Sequence, residues 1–174
     1  TSLQVWLTLG VGAVGFGGMF AMYSYIAPTV TDVTGLPASA VPLFLLVFGV
    51  SGFIGNIVAG RMGDWSVIRS IVIGLVGMGV ALGVFAAVAS YAVPALVVLA
   101  LTAVLASVLV INLQLRLMQV AGSAQTLAAA SNHAALNLAN ALGAWLGGLV
   151  IAAGYGYRAP SVVGVGLAVL GLAI

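Results

Sequence analysis

The sequence predicts an all-α transmembrane fold, a bundle of six helices that each cross the bilayer. Of the 174 residues, 64% are hydrophobic and only 3% are charged, whereas a soluble domain carries about a quarter charged residues. The apolar residues fall into six runs, and the length suits six spans because each span needs roughly 20 apolar residues. Helices are expected because a helix satisfies its own backbone hydrogen bonds in lipid.

The six predicted helices cover residues 5–26, 41–59, 70–89, 94–115, 126–153 and 159–174. Proline marks several boundaries. Pro28 and the polar residues after it end the first run, the second run follows Pro37, and Pro160 suits the first turn of the sixth. No low-complexity linker divides the runs, so residues 1–174 form one domain. Because Thr1 is not a start Met and the sixth run stops without a polar flank, we expect a piece of a longer chain, truncated at both ends.

The charged residues exclude several classes of protein. The chain has four Arg, two Asp, no Lys and no Glu, and four scattered Arg make no basic patch for nucleic acid. One His and no Cys leave too few ligands for a metal site. We therefore expect the lipid bilayer as a partner, with no nucleic acid, no metal and no cofactor.

The distribution of Arg predicts the orientation. Arg61, Arg69 and Arg116 fall on one side of the predicted bundle and Arg158 on the other. Positive charge favours the cytoplasmic side, so both termini of this segment are predicted to be cytoplasmic. The five tyrosines cluster near the opposite interface, as an aromatic belt does.

Small residues recur at four-residue spacing within the runs, as at Gly143 and Gly147, which Gly148 follows. Such spacing lets helix backbones approach closely in lipid. The three glycines are therefore predicted to pack helices together. Such contacts between small residues would also permit helices to slide, and the sequence does not decide between fixed packing and sliding.

The segment between the second and third runs is unusually charged. It contains Gly60, Arg61, Gly63, Asp64 and Arg69. An Asp near a helix N-terminus is favourable, so these residues suggest a conformational latch loop. The alternative is a solvated loop that only sets topology.

This loop resembles the signature of the major facilitator superfamily, G-x-L-a-D-r-x-G-r-k, which joins the second and third helices of each six-helix half. Gly60, Met62, Gly63 and Asp64 match its G, L, small and D positions. The downstream Gly and basic pair are missing, as is typical of the copy in the C-terminal half.

Two polar stripes lie within the predicted spans. Asn112, Arg116 and Gln119 share one face of the fourth helix at i, i+4, i+7. His133, Asn137 and Asn140 do so on the fifth. A lipid-facing stripe would be costly, so these residues predict either hydrogen bonds between helices or a substrate or gating surface. Arg116 alone also fits snorkelling at the interface.

Residues 112–160 resemble one branch of the superfamily more specifically, the drug:proton antiporters of the arabinose-efflux and chloramphenicol-exporter type. The resemblance implies helices seven to twelve of a twelve-helix transporter, built as two inverted three-helix repeats. It also implies that the first and fourth spans line a central cavity. The resulting cavity candidates are Gln4, Thr8, Met19, Met22, Tyr23 and Asn112, together with the stripe residues His133, Asn137 and Asn140.

The function implied by the resemblance is proton-coupled efflux by alternating access in a bacterial inner membrane. The partners would be an N-terminal six-helix half, protons and a small, mostly uncharged substrate such as a chloramphenicol-like drug or a sugar. Both Asp lie outside the predicted spans, and imidazole is the side chain that ordinarily changes charge near neutral pH. The proton carrier is therefore either an acid in the other half, which we favour, or His133.

Two other classes stay open on sequence alone. Gly49-Val50-Ser51-Gly52 fits the G-x-S-G of rhomboid intramembrane proteases, with His133 as a base. Against this, Ser51 lies mid-helix, where its hydroxyl can bond its own backbone. A channel or scaffold protein is the other alternative, and it would need no partner half. We expect a transporter and not an enzyme.

Overall fold

A computed structural model describes residues 3–122 and 124–174, and in these ranges the chain is helical with no strand. Among the described residues, four helices are long and apolar enough to cross a membrane, and a fifth, shorter apolar helix follows them. We name the helices span 1 (Leu3–Tyr23), spans 2 and 3 (the two arms of Val41–Val88), span 4 (Ala92–Val120), span 5 (Gln125–Ala152) and span 6 (Ala159–Ala173).

The helix Val41–Val88 has 48 residues and is broken at a single position. Ser66 has extended backbone angles (φ −171°, ψ 114°) and divides the helix into span 2 (41–65) and span 3 (67–88). Its hydroxyl accepts a hydrogen bond from the Arg69 N–H (3.4 Å), as an N-cap side chain does. The Ser70 hydroxyl donates to the Met62 carbonyl (2.8 Å), which satisfies the end of span 2.

The loop predicted at residues 60–69 is therefore mostly helix. Span 2 continues through Gly60 to Trp65, and one extended residue makes the connection. The packing register confirms the reversal. Gly55 lies against Val104 and Gly63 against Leu115, so span 2 runs parallel to span 4. Span 3 runs antiparallel to span 4, since Gly74 lies against Leu109 and Gly77 against Leu105.

Span 1 is irregular where the sequence predicts one continuous helix. The segment Val11–Gly15 is a π-helix between two α-helical segments, and the chain turns after Tyr23. Beyond that turn the residues predicted as a polar loop form another π-helical segment, Thr29–Val33. The Thr29 hydroxyl donates to the Tyr25 carbonyl (2.7 Å), and Pro28 has no N–H to donate. Local bonding by threonine thus keeps this polar stretch helical.

Span 1 packs between spans 5 and 6 at glycine. Gly17 lies against Ala139 of span 5, Gly18 against Gly164 of span 6, and Gly15 also touches span 6. A Cβ added at Gly164 would lie 2.6 Å from the Gly18 carbonyl oxygen. Such contacts bring backbones together, as small residues do in membrane bundles.

The glycines singled out in span 5 lie on the same contact. Gly143 faces Gly17 and Ala21, and Gly147 faces Ala21. Gly148 leaves room for the phenol of Tyr25, whose hydroxyl donates to the Ala144 carbonyl (2.7 Å). Span 5 is therefore held to the second half of span 1 and to the turn that follows it.

The glycine contact with span 6 generates a matched pair of substitutions. Gly164→Ala should destabilise the bundle by about 1–3 kcal/mol, because the new methyl group meets backbone that cannot move aside. Gly166, two residues away, faces open space, so Gly166→Ala should be neutral or stabilise by about 0.5–1 kcal/mol through helix propensity. Thermal unfolding in detergent measures both, and equal effects would contradict the packing.

Candidate functional site

The outer surface of the bundle is apolar, as contact with lipid requires. Large hydrophobic side chains on several spans are more than half exposed, among them Leu46 (62%), Phe53 (68%) and Val80 (62%). A water-soluble monomer rarely exposes contiguous apolar surface of this kind. The chain is a multi-pass membrane protein, and polar side chains within its spans need a specific explanation.

One concave surface is formed by spans 1, 2 and 4. A shallow depression of about 180 Å³ lies between them, with Met19 and Phe16 on one side and Phe48 and Asn56 on the other. Ser107 and Ile111 of span 4 form its floor. The ring of Tyr23 packs on Phe48 with 4.4 Å between centroids.

Span 5 has two different exposed sides, and the polar one continues this surface. Asn132 is buried (2%) and donates to the Gln114 side chain of span 4 (3.4 Å). Successive helical residues differ by 100°, so His133 and Ser131 lie on opposite sides of that contact. Ser131 lines an apolar groove with Trp6 of span 1. His133 is exposed on the side away from Trp6.

The polar stripe of span 5 therefore borders span 4. Asn137 and Asn140 continue it and are exposed. Gln114 lines a second shallow pocket on span 4 with Ile111, which also lines the depression, and it accepts the hydrogen bond from Asn132, the neighbour of His133. We call the depression, this pocket and the polar side of span 5 together the front face. The side chains that define it are Met19, Tyr23, Phe48, Asn56, Ser107, Gln114, His133, Asn137 and Asn140.

Two of the cavity candidates lie inside the bundle and not on this face. Met22 is 2% exposed and belongs to the apolar core, and Asn112 is fully buried. The Asn112 carboxamide points towards span 2, where its Nδ2 donates to the Ala59 carbonyl (3.2 Å). The helical phase turns these two side chains to neighbouring helices in this structure, and their place near a substrate stays a prediction.

Gln4 and Thr8 lie in a different cleft. This cleft, about 180 Å³, opens between spans 1, 3 and 4 and also contains Arg116 and Leu113. The Arg116 guanidinium donates to the Gln4 side-chain oxygen (3.2 Å). The Thr8 hydroxyl donates to the Gln4 carbonyl (2.7 Å). The first two candidates are thus brought together with Arg116, away from the front face.

Sequence reasoning missed Asn56, Ser107, Gln114 and Phe48. The sequence signal on span 4 was weak, because only Ser107 and Gln114 are polar among positions 107, 111, 114 and 118, which share this face of the helix. The chosen stripe started at Asn112, one residue out of phase. Only the contact between Asn112 and span 2 shows which of the two stripes faces outward.

The charged segment at the break between spans 2 and 3 is exposed. Gly60, Arg61 and Asp64 lie on the surface at the end of span 2. The Arg69 guanidinium stacks over the Trp65 ring, 5.2 Å from its centroid, a favourable cation–π geometry. Gly63 packs against span 4. The segment thus has a charged exposed side and a glycine contact on the inside.

The protease alternative finds no support in the geometry. Ser51 is 9% exposed on span 2, whereas His133 lies on the exposed side of span 5. In residues 3–122 and 124–174 no hydrogen bond joins the two side chains, although nucleophilic catalysis needs them within hydrogen-bond reach. Nor does this part of the chain bring three potential metal ligands together.

Comparison with known proteins supplies the class. No protein-family model matches the chain. It is 35% identical over 169 residues to the inner membrane transport protein YdhP of Escherichia coli O157:H7, covering 97% of this chain and 43% of that protein. It is 32% identical over 154 residues to the uncharacterized MFS-type transporter YtbD of Bacillus subtilis (strain 168), covering 86% of this chain and 39% of that one.

A shorter match concerns a drug-resistance protein. Over 58 residues the chain is 38% identical to a chloramphenicol resistance protein of Streptomyces lividans, which is 33% of this chain and 15% of that protein. The matches to YdhP and YtbD extend over most of the chain but only about two fifths of each relative.

The chain is a helical bundle that faces lipid and has an uncharged polar face, and it is related to proteins named as transporters. Its class is therefore that of membrane transporters, of which it is a segment. The chain belongs to the major facilitator superfamily, and the resemblance drawn from its sequence is confirmed. The predicted fold class is confirmed as well, since the six-helix bundle corresponds to half of such a transporter.

Proposed function

We propose that this chain is the C-terminal half of a proton-coupled efflux transporter that exports a small, mostly uncharged molecule from a bacterial cell across the inner membrane by alternating access. The observation that carries the proposal is the front face. Its polar groups are amides, hydroxyls, an imidazole and a thioether, with no Arg or Asp among them. Such a surface hydrogen-bonds a neutral ligand and has no fixed charge with which to bind an ion.

The front face also supports a partner half of the transporter. A stripe of three exposed polar residues would be costly against lipid. The relatives are more than twice as long as this chain, which supports an N-terminal half that packs opposite the front face. The substrate would then bind between the halves. The relationship to a chloramphenicol resistance protein supports a drug as substrate and makes chloramphenicol the first probe.

Substitutions on the two exposed sides of span 5 test this surface. Asn137→Leu should raise the KM for chloramphenicol export about 3- to 10-fold, as the loss of one uncharged hydrogen bond does. Leu138→Ala changes the apolar side and should leave KM unchanged. Export is measured from proteoliposomes containing the full-length transporter. Equal effects of the two variants would argue against the front face as the substrate surface.

We propose that the proton-carrying acid lies in the other half and that His133 is not the carrier. In the described ranges both Asp are exposed and lie outside the middle of the spans, so neither is placed to carry a proton through the membrane. His133→Gln keeps a hydrogen-bonding side chain but cannot titrate. With an imposed pH gradient, the variant should still drive uphill export. Loss of uphill export with downhill exchange intact would instead assign the proton site to His133.

We propose that the segment Gly60–Arg69 is a conformational latch, with Asp64 as its charged element. Asp64 is exposed at the end of span 2, where a partner helix in the other half could meet it. Asp64→Asn should slow export by about tenfold, since a coupling of 1–3 kcal/mol is typical of such contacts, while substrate affinity stays the same. Equilibrium binding measured alongside export separates the two effects. A loss of affinity equal to the loss of export would contradict a latch.

The proposed orientation places the break at Ser66 and the two termini of this segment in the cytoplasm. Because the segment contains no cysteine, single cysteines can report it. Ser39 and Gln125 are both exposed, at opposite ends of the bundle. An impermeant maleimide should label Ser39→Cys on intact cells but Gln125→Cys only after permeabilisation. The reverse pattern would invert the topology.

A further inference from the structure

Asn112 is the polar side chain most deeply enclosed between spans 2 and 4. It has no exposed surface, and its Nδ2 donates to the carbonyls of Ala59 (3.2 Å) and Val108 (2.9 Å). Its Oδ1 has no hydrogen-bond partner, the one buried side-chain atom of this kind in the part of the chain that the structure describes. A buried acceptor without a donor is rare and calls for a physical reason.

Stability of the observed packing is not that reason. Ala59 and Val108 lie inside α-helices, where each carbonyl already accepts the N–H four residues on. Removal of the Asn112 carboxamide would therefore leave no carbonyl unpaired. Burial of Oδ1 meanwhile costs its lost hydration with no bond in return. An apolar side chain of similar size would suit this arrangement better than asparagine does.

The position of Asn112 indicates the role of its side chain. Oδ1 points at Gly63, where an added Cβ would lie only 2.9 Å away and 3.0 Å from Leu115. Gly63 is three residues before Ser66, at which the long helix breaks. Asn112 thus contacts the last two turns of span 2, at Ala59 and Gly63, close to the extended residue Ser66.

We propose that Asn112 is a releasable clasp between spans 2 and 4. Its hydrogen bond to the Ala59 carbonyl joins it to span 2, and its bond to the Val108 carbonyl of its own helix fixes the carboxamide in the observed arrangement. Its unpaired Oδ1 keeps that arrangement close in free energy to a second one, in which the end of span 2 has moved away from span 4 and Oδ1 accepts a donor. The proposal rests on the alternating-access function proposed above and names an element inside this half that moves during the cycle.

The test removes the polar group without removing its bulk. Asn112→Leu should shift the protein towards the observed arrangement by about fivefold or more, the lower bound for an unpaired buried acceptor. Spin labels at Ile57→Cys on span 2 and Gln119→Cys on span 4, both exposed, report the separation by pulsed EPR. The full-length transporter in liposomes is expected to show two distances, and the Asn112→Leu variant to raise the ratio of the shorter to the longer distance by at least about fivefold.

Thr102→Val is the matched control. Thr102 is also fully buried in span 4, but its hydroxyl donates to the Val98 carbonyl within the same helix (2.8 Å) and touches no second span through that bond. This control should keep both distances and normal export. Asn112→Leu should melt no lower than the parent protein and should export more slowly, because one arrangement has become too stable.

Several results would overturn the clasp. They are a single distance in the parent protein, two distances with unchanged proportions in Asn112→Leu, or a shift of that variant to the longer distance. If leucine prevents folding, Asn112→Ala removes the same polar group with less bulk and should give the same shift. The distances are read without any substrate. A protein that exports nothing but shows the predicted shift would reject the proposed function and keep the clasp.

Discussion

Close approach of backbones at glycine is the constraint on which this bundle depends. Span 1 lies between spans 5 and 6, and it does so through Gly17 and Gly18, where no side chain separates the helices. In lipid no hydrophobic effect drives helices together, so van der Waals contact over such surfaces carries the association. Because span 1 contacts both neighbours in this way, its glycines limit the directions in which span 5 can present its side chains.

That constraint explains why span 5 has a polar and an apolar exposed side. Its buried positions Ala139 and Gly143 pack against span 1. What remains is divided by the contact of Asn132 with span 4. The side next to Trp6 is apolar and suits lipid, whereas the side of His133 is polar and suits a protein or a water-filled cavity. The helix thus marks the boundary between the lipid surface and the surface that a second half would cover.

Much of the fold could be predicted from the sequence, because apolar runs of bilayer length allow few alternatives. The site was less accessible to prediction. Polar spacing predicted the stripe that starts at His133, whose role stays a prediction. On span 4 it favoured Asn112, Arg116 and Gln119 over the face of Ser107 and Gln114, which has fewer polar residues. Only the hydrogen bond from Asn112 to Ala59 decides between them. The π-helical segment Val11–Gly15 was not predicted, because hydropathy does not change when a helical turn contains one extra residue.

The structure changes the interpretation of the segment between spans 2 and 3. If this segment were a loop, Gly63 would allow its backbone to turn. In the structure it is helical, it has no positive φ, and a side chain there would press on Asn112. The glycine is therefore required by packing and not by backbone conformation. Asp64 follows it on a rigid helix that ends only at Ser66. Asp64 is the exposed neighbour of Gly63, which packs against Asn112. If Asp64 meets a partner helix as proposed, that contact would bear directly on the packing between spans 2 and 4, so the proposed latch and the proposed clasp would act on the same end of span 2.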